Sequence, residues 1–147
     1  MRTKGMKELL LVSLAVCLAV GTGLSQEPMR DILTANIPFN FTVENTTLPA
    51  GTYEFTQTVA QPYTWYVSNA KGDVKIVFYT EPAEMVTRPG TFQIVFATYG
   101  DQYFLSRIWL EDQRDGFYIP KTRVERDMMN KGQKPVMKSI PIKKKSG

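Results

Sequence analysis

Between residues 36 and 110, apolar side chains recur at every second position, and that period restricts this part of the chain to strands. In "NIPFNFTV" it sets Ile37, Phe39, Phe41 and Val43 on one side, with Asn36, Asn40 and Thr42 on the other. Pro38 lacks an N–H and argues for an edge position. "LPAG" (48–51) predicts a hairpin turn, because Pro49 presets its φ and Gly51 tolerates positive φ. Further strands are expected over 52–59, with Tyr53 and Phe55 inward, and over 63–68, 74–79, 91–99 and 102–110. "FYIP" (117–120) adds a short one. "TEPAEMVTRPG" (80–90), with two prolines and no period, reads as a loop.

After Pro120 the grammar changes. Thr122 and Glu125 stand at capping-box spacing, and Gly132 can end a helix. A short helix is therefore expected over 123–130, docked through Val124 and Met128, which are four residues apart. The expected fold is all-β: an antiparallel barrel or sandwich of about six to eight strands with one short C-terminal helix. In domain terms, 1–25 is a signal peptide, 26–35 a lead-in, 36–130 the β domain and 131–147 a basic flexible tail.

The leader rests on Arg2, Lys4 and Lys7 before the apolar run "LLLVSLAVCLAV" (9–20), with Gly23 and Ser25 at a peptidase-compatible spacing. That run is shorter than the about 18–20 residues a spanning helix needs, which favours a signal over an anchor. Cys17 follows Val16, where lipid attachment wants a small residue, so it belongs to the discarded peptide. Residues 26–147 then contain no cysteine, and the whole chain contains no histidine. Thiol chemistry is excluded there, along with the commonest general base and metal ligand. The formal charge is +4, but residues 131–147 hold six lysines and no acid, so a mildly acidic body carries a basic end. Lys143, Lys144 and Lys145 are candidates for contact with an anionic envelope surface. Nucleic acid is not expected, because no aromatics interleave those lysines.

"YGDQYFLSRIW" (99–109) is dense in aromatics around one Gly-Asp pair. A two-residue loop at Gly100-Asp101 would pair Tyr99 with Gln102 and, further out, Phe96 with Leu105, Ile94 with Arg107 and Phe92 with Trp109. Arg107 would then point among apolar groups and require an acceptor. One reading gives it an internal partner, Glu54 or Glu125, or a stack on Trp109. The other makes it the anion anchor of a ligand site in a barrel mouth, lined by Trp109, Tyr103, Trp65 and Tyr53. Structural ion pairs outnumber sites, so the first reading leads.

No catalytic motif survives inspection. "EDQRDG" (111–116) resembles the start of a calcium loop but reaches Thr122 where a bidentate acid belongs. Glu81 and Glu84 lack anything to set their spacing, and Ser68 and Ser106 lack a histidine. Asn40 and Asn45 open glycosylation sequons that matter only on a eukaryotic route. No cofactor is expected.

Four strings together, N-I-P-F-x-F-x-V (36–43), L-P-A-G-x-Y (48–53), Y-G-D-Q-Y-F-L-S-x-x-W (99–109) and P-K-T-R-x-E-R (120–126), resemble a group of small exported bacterial proteins, abundant in acidobacteria, that have no assigned chemistry. L-P-A-G-x-Y alone is similar to turns of prealbumin-like and immunoglobulin-like modules. The resemblance implies a bacterial, periplasmic or extracellular setting. Two functions stay open. The first is a non-enzymatic interaction or structural module of the cell envelope, mating with another envelope protein. The second is a carrier of a small anionic or amphipathic molecule.

Overall fold

The computed structural model describes residues 32–84, 90–111 and 115–145; the expected leader lies outside them. Among the described residues there are twelve strands and one helix, and the strands form two curled, mainly antiparallel sheets, a sandwich bent toward a half-barrel. The first sheet has the order β12-β1-β4-β5-β6, the strands being β12 (Lys143–Lys144), β1 (Leu33–Ile37), β4 (Gly51–Gln57), β5 (Thr64–Asn69) and β6 (Lys75–Tyr79). The second has the order β11-β8-β9-β10-β7, namely β11 (Val136–Pro141), β8 (Gln93–Tyr99), β9 (Gln102–Trp109), β10 (Asp115–Tyr118) and β7 (Glu81–Glu84). A hairpin of β2 (Phe41–Val43) and β3 (Thr46–Leu48) joins the second sheet through a parallel contact of Thr42 with Phe104.

The chain passes between the sheets at both lateral edges. Only Thr80 separates β6 from β7, and only Ile142 separates β11 from β12. Both corner residues are buried. The core lies between the sheets, where Phe41, Phe55, Trp65, Phe78 and Phe96 are nearly inaccessible. Rings meet edge to face across it, Phe41 with Tyr53 at 5.0 Å and Trp65 with Phe117 at 5.1 Å, as aromatic quadrupoles favour.

Several local expectations need correction. The strand expected over 36–43 is two strands, broken at Pro38, where the missing N–H ends the ladder. Its first half starts at Leu33, so the lead-in ends earlier than expected. The "LPAG" turn is not the expected hairpin: it carries the chain from β3 in the second sheet to β4 in the first, which do not pair, and the Tyr53 hydroxyl pins it by donating to the Pro49 carbonyl at 2.7 Å. Within 80–90, residues 81–84 are a strand; Pro82 is accommodated because β7 is the last strand of its sheet. The short strand expected at 117–120 begins at Asp115.

The largest change concerns the C-terminal segment. Residues 136–141 pair with β8 from Gln93 to Thr98, Ile140 opposite Ile94, and Ile142 enters the core. The flexible tail expected over 131–147 is thus replaced by two strands through residue 144. Lys and Pro misled because β11 sits at a corner, where outward lysines remain in solvent.

The helix α1 (Arg123–Asn130) has the expected bounds and a complete capping box. The Glu125 N–H donates to the Thr122 hydroxyl at 3.1 Å, and the Thr122 N–H donates to the Glu125 carboxylate at 2.8 Å. At its other end Gly132 takes φ 86°, and the N–H groups of Gly132 and Gln133 bond to the carbonyls of Met129 and Met128, a Schellman closure. Its docking face differs from expectation. Met128 packs on Ala97, Tyr99 and Phe104, while Val124 is 51 % exposed and Glu125 only 3 %. The capping bonds satisfy the Glu125 carboxylate, which allows it to turn inward where Val124 was expected.

Candidate functional site

The β8–β9 hairpin decides where the expected site residues go. Pairing runs as expected from Tyr99↔Gln102 to Phe96↔Leu105, and then Val95 pairs with Arg107 and Ile94 with Ile108. Ser106 is the extra residue of a β-bulge. The slip sends Ile108 into the core and turns Arg107 and Trp109 to the other face of the sheet, away from the first sheet. Tyr53, Trp65 and Tyr103 stay on the inner side. The five residues therefore do not line one mouth. Tyr53 is anchored to Pro49, Trp65 packs on Phe117, and Tyr103 stacks on Phe39 at 3.9 Å. Burial raises the Tyr53 phenol above its ordinary value.

The internal partners expected for Arg107 are engaged elsewhere. Glu54 pairs with Lys145 at 2.7 Å, and Glu125 is held by Thr122. Of the lysines proposed for surface contact, Lys145 thus pairs within the fold, and Lys143 and Lys144 lie in β12. Among the described residues no group of three or more acidic, cysteine or histidine side chains is placed to hold a metal ion. Part of "EDQRDG" lies outside the described residues.

What the structure does assemble is a seam where the half-barrel fails to close. Its first wall is the free edge of β6. Register pairs Trp65 with Phe78 and Val67 with Ile76, and the Thr80 N–H bonds to the Tyr63 carbonyl at 2.9 Å. In an antiparallel ladder hydrogen-bonded pairs alternate. The N–H and C=O groups of Phe78 and Ile76 therefore face β5, and those of Lys75, Val77 and Tyr79 face outward. Among the described residues no strand pairs with that edge. The Tyr79 N–H reaches the Glu44 carboxylate, at a long 3.4 Å.

Glu44 stands in the β2–β3 turn at φ 52°, the only positive φ among the described non-glycine residues. Such a conformation costs on the order of 1 kcal/mol or more. The opposite wall is the β10–α1 connection with the first turn of α1. A recess of about 320 Å³ lies between the walls, bordered by Glu44, Tyr79, Ile119, Lys121, Arg123 and Arg126.

Three cations, Lys121, Arg123 and Arg126, and the Glu44 carboxylate border that recess. The Lys121 ammonium donates to the Tyr118 hydroxyl at 3.1 Å and lies 5.3 Å from its ring centre, and Arg126 donates to the Lys121 carbonyl at 2.6 Å. Those bonds hold two of the cations in position, while Arg123 projects into solvent. Glu125 does not offset them at the surface. It is buried behind the cap, and desolvation raises its carboxyl above the usual range despite the opposing Thr122 bonds and nearby Lys121 and Arg126. Beside the seam, the outer face of β5–β6 carries Tyr66, Val77 and Tyr79. Tyr79 is 63 % and Val77 41 % exposed, and the Lys75 ammonium lies 4.6 Å from the Tyr66 ring centre.

In the sequence this site shows only as the three cations within "PKTRVER", where the expected helix cap draws on Thr122 and Glu125 and not on Lys121, Arg123 or Arg126. Nothing in the sequence links Glu44 to Tyr79, thirty-five positions away. No protein-family model, characterised protein or solved structure matches this chain, and among the described residues no helix is long and apolar enough to cross a membrane.

Proposed function

We propose that the chain is an exported, non-enzymatic protein-interaction or structural module of the bacterial cell envelope, acting in the periplasm or outside the cell. The observation that carries this reading is the exposed face of β5–β6, where Val77 and Tyr79 stand in solvent beside a strand edge that no strand among the described residues pairs with. A folded chain that leaves a tyrosine and a valine uncovered next to open backbone groups presents a surface suited to another protein. The leader and the lack of histidine are consistent with export and with a role other than catalysis.

Native mass spectrometry of the protein purified from its own host tests this. A bound polypeptide is expected, lost when Val77 and Tyr79 are both replaced by threonine while the melting temperature is held. A wild-type spectrum showing the chain alone overturns the reading, as does a retained small molecule in place of a polypeptide.

A further inference from the structure

The open edge of β6 reaches the recess at Tyr79, opposite the basic wall, and the chemistries of edge and wall are complementary to different parts of one ligand. Lys75, Val77 and Tyr79 offer outward N–H and C=O groups at alternate positions, a spacing of roughly 6.5–7 Å along a strand. That pattern is met by another extended backbone and not by a small anion. Lys121, Arg123 and Arg126 supply positive charge, and among the described residues that border the recess Glu44 is the one acid, which selects acidic side chains or a terminal carboxylate. A second copy of this chain is disfavoured at the same place, because it would bring the same cations and Lys75 against their duplicates.

Glu44 already shows the contact in miniature. Its backbone takes an unfavourable φ while its carboxylate sits on the Tyr79 N–H, where a ligand oxygen would bind.

We infer that the seam between β6 and the β10–α1 connection binds an extended acidic peptide segment by strand addition, displacing the Glu44 carboxylate from Tyr79. This rests on the interaction-module reading and specifies its site and the chemistry of its partner.

The probe is a fluorescein-labelled octapeptide of alternating valine and glutamate, followed by anisotropy on the full chain at low salt. Saturable binding is expected, weakened at least tenfold when lysines replace the glutamates. N-methylation of the alternate amides that face β6 should weaken it as much, since it removes ladder donors while keeping every side chain. Arg123→Glu changes an exposed side chain and should lower affinity at least tenfold without altering the melting temperature. Val77→Pro removes one outward donor and leaves the bonds to β5 in place.

Absence of saturable binding overturns the inference. So does equal binding of the acidic and basic peptides, or undiminished binding of the N-methylated one. Should the host partner survive Val77→Pro and Arg123→Glu in native mass spectrometry yet be lost with the threonine pair, strand addition fails while the interaction module stands.

Discussion

Gly116→Ala sets two opposing effects against each other. Gly116 does not take a positive φ, so alanine suits the backbone and, by restricting the unfolded chain, would ordinarily stabilise by about 0.4–1 kcal/mol. The tertiary structure reverses that sign. Phe117 pairs with Ile108, which brings Gly116 alongside Trp109, and a Cβ at Gly116 would stand 2.1 Å from two carbons of the indole and 2.9 Å from a third. Ordinary carbon contacts are about 3.5–4.0 Å. The ring must therefore retreat by more than 1 Å, on the order of a bond length, and Trp109 is only 3 % exposed.

Overpacking of this kind costs about 1–3 kcal/mol, and forcing the indole out altogether adds part of the 3–5 kcal/mol of a lost Trp. The net expectation is destabilisation by about 2 kcal/mol or more, read as a lower urea midpoint at unchanged slope. A double-mutant cycle isolates the cause. In a Trp109→Ala background the same Gly116→Ala change meets no ring and should cost under about 0.5 kcal/mol. A loss in the wild-type background below about 0.5 kcal/mol, or an equal loss in both backgrounds, refutes the argument.

Two further expectations concern the helix and the C-terminal strands. Burial raises the Glu125 carboxyl above its unfolded value, so the folded state holds that proton more tightly. The stability this gives is complete below the ordinary glutamate range and lost as pH rises through the raised value. Thermal melts should show that decline, and Glu125→Gln should remove it; a variant with the same pH profile as wild type contradicts the reading. Truncation after residue 135 removes the β11 ladder, the buried Ile142 and the Lys145–Glu54 pair. A loss of at least about 3 kcal/mol is expected, whereas a loose basic tail would leave the melting temperature unchanged.

The seam was only partly legible from the residues. Lys121, Arg123 and Arg126 are neighbours in sequence and could be grouped by inspection. The strand edge that reaches their recess at Tyr79 became visible only once β5 claimed the N–H groups of Ile76 and Phe78, leaving those of Lys75, Val77 and Tyr79 outward. The ring cluster posited around Arg107 failed for a nameable reason: a single extra residue, Ser106, reverses the faces beyond it.

Strand periodicity, the Gly100 and Gly132 turns and the Thr122–Glu125 cap were determined locally, because each depends on φ preferences and on hydrogen bonds within a few residues. Three features were decided only by the assembled sheets: the bulge at Ser106, the inward turn of Glu125, and the incorporation of residues 136–144 as strands. Each depends on which distant surface is available to bury a side chain or complete a ladder, and a period of two records alternation without recording which side is covered.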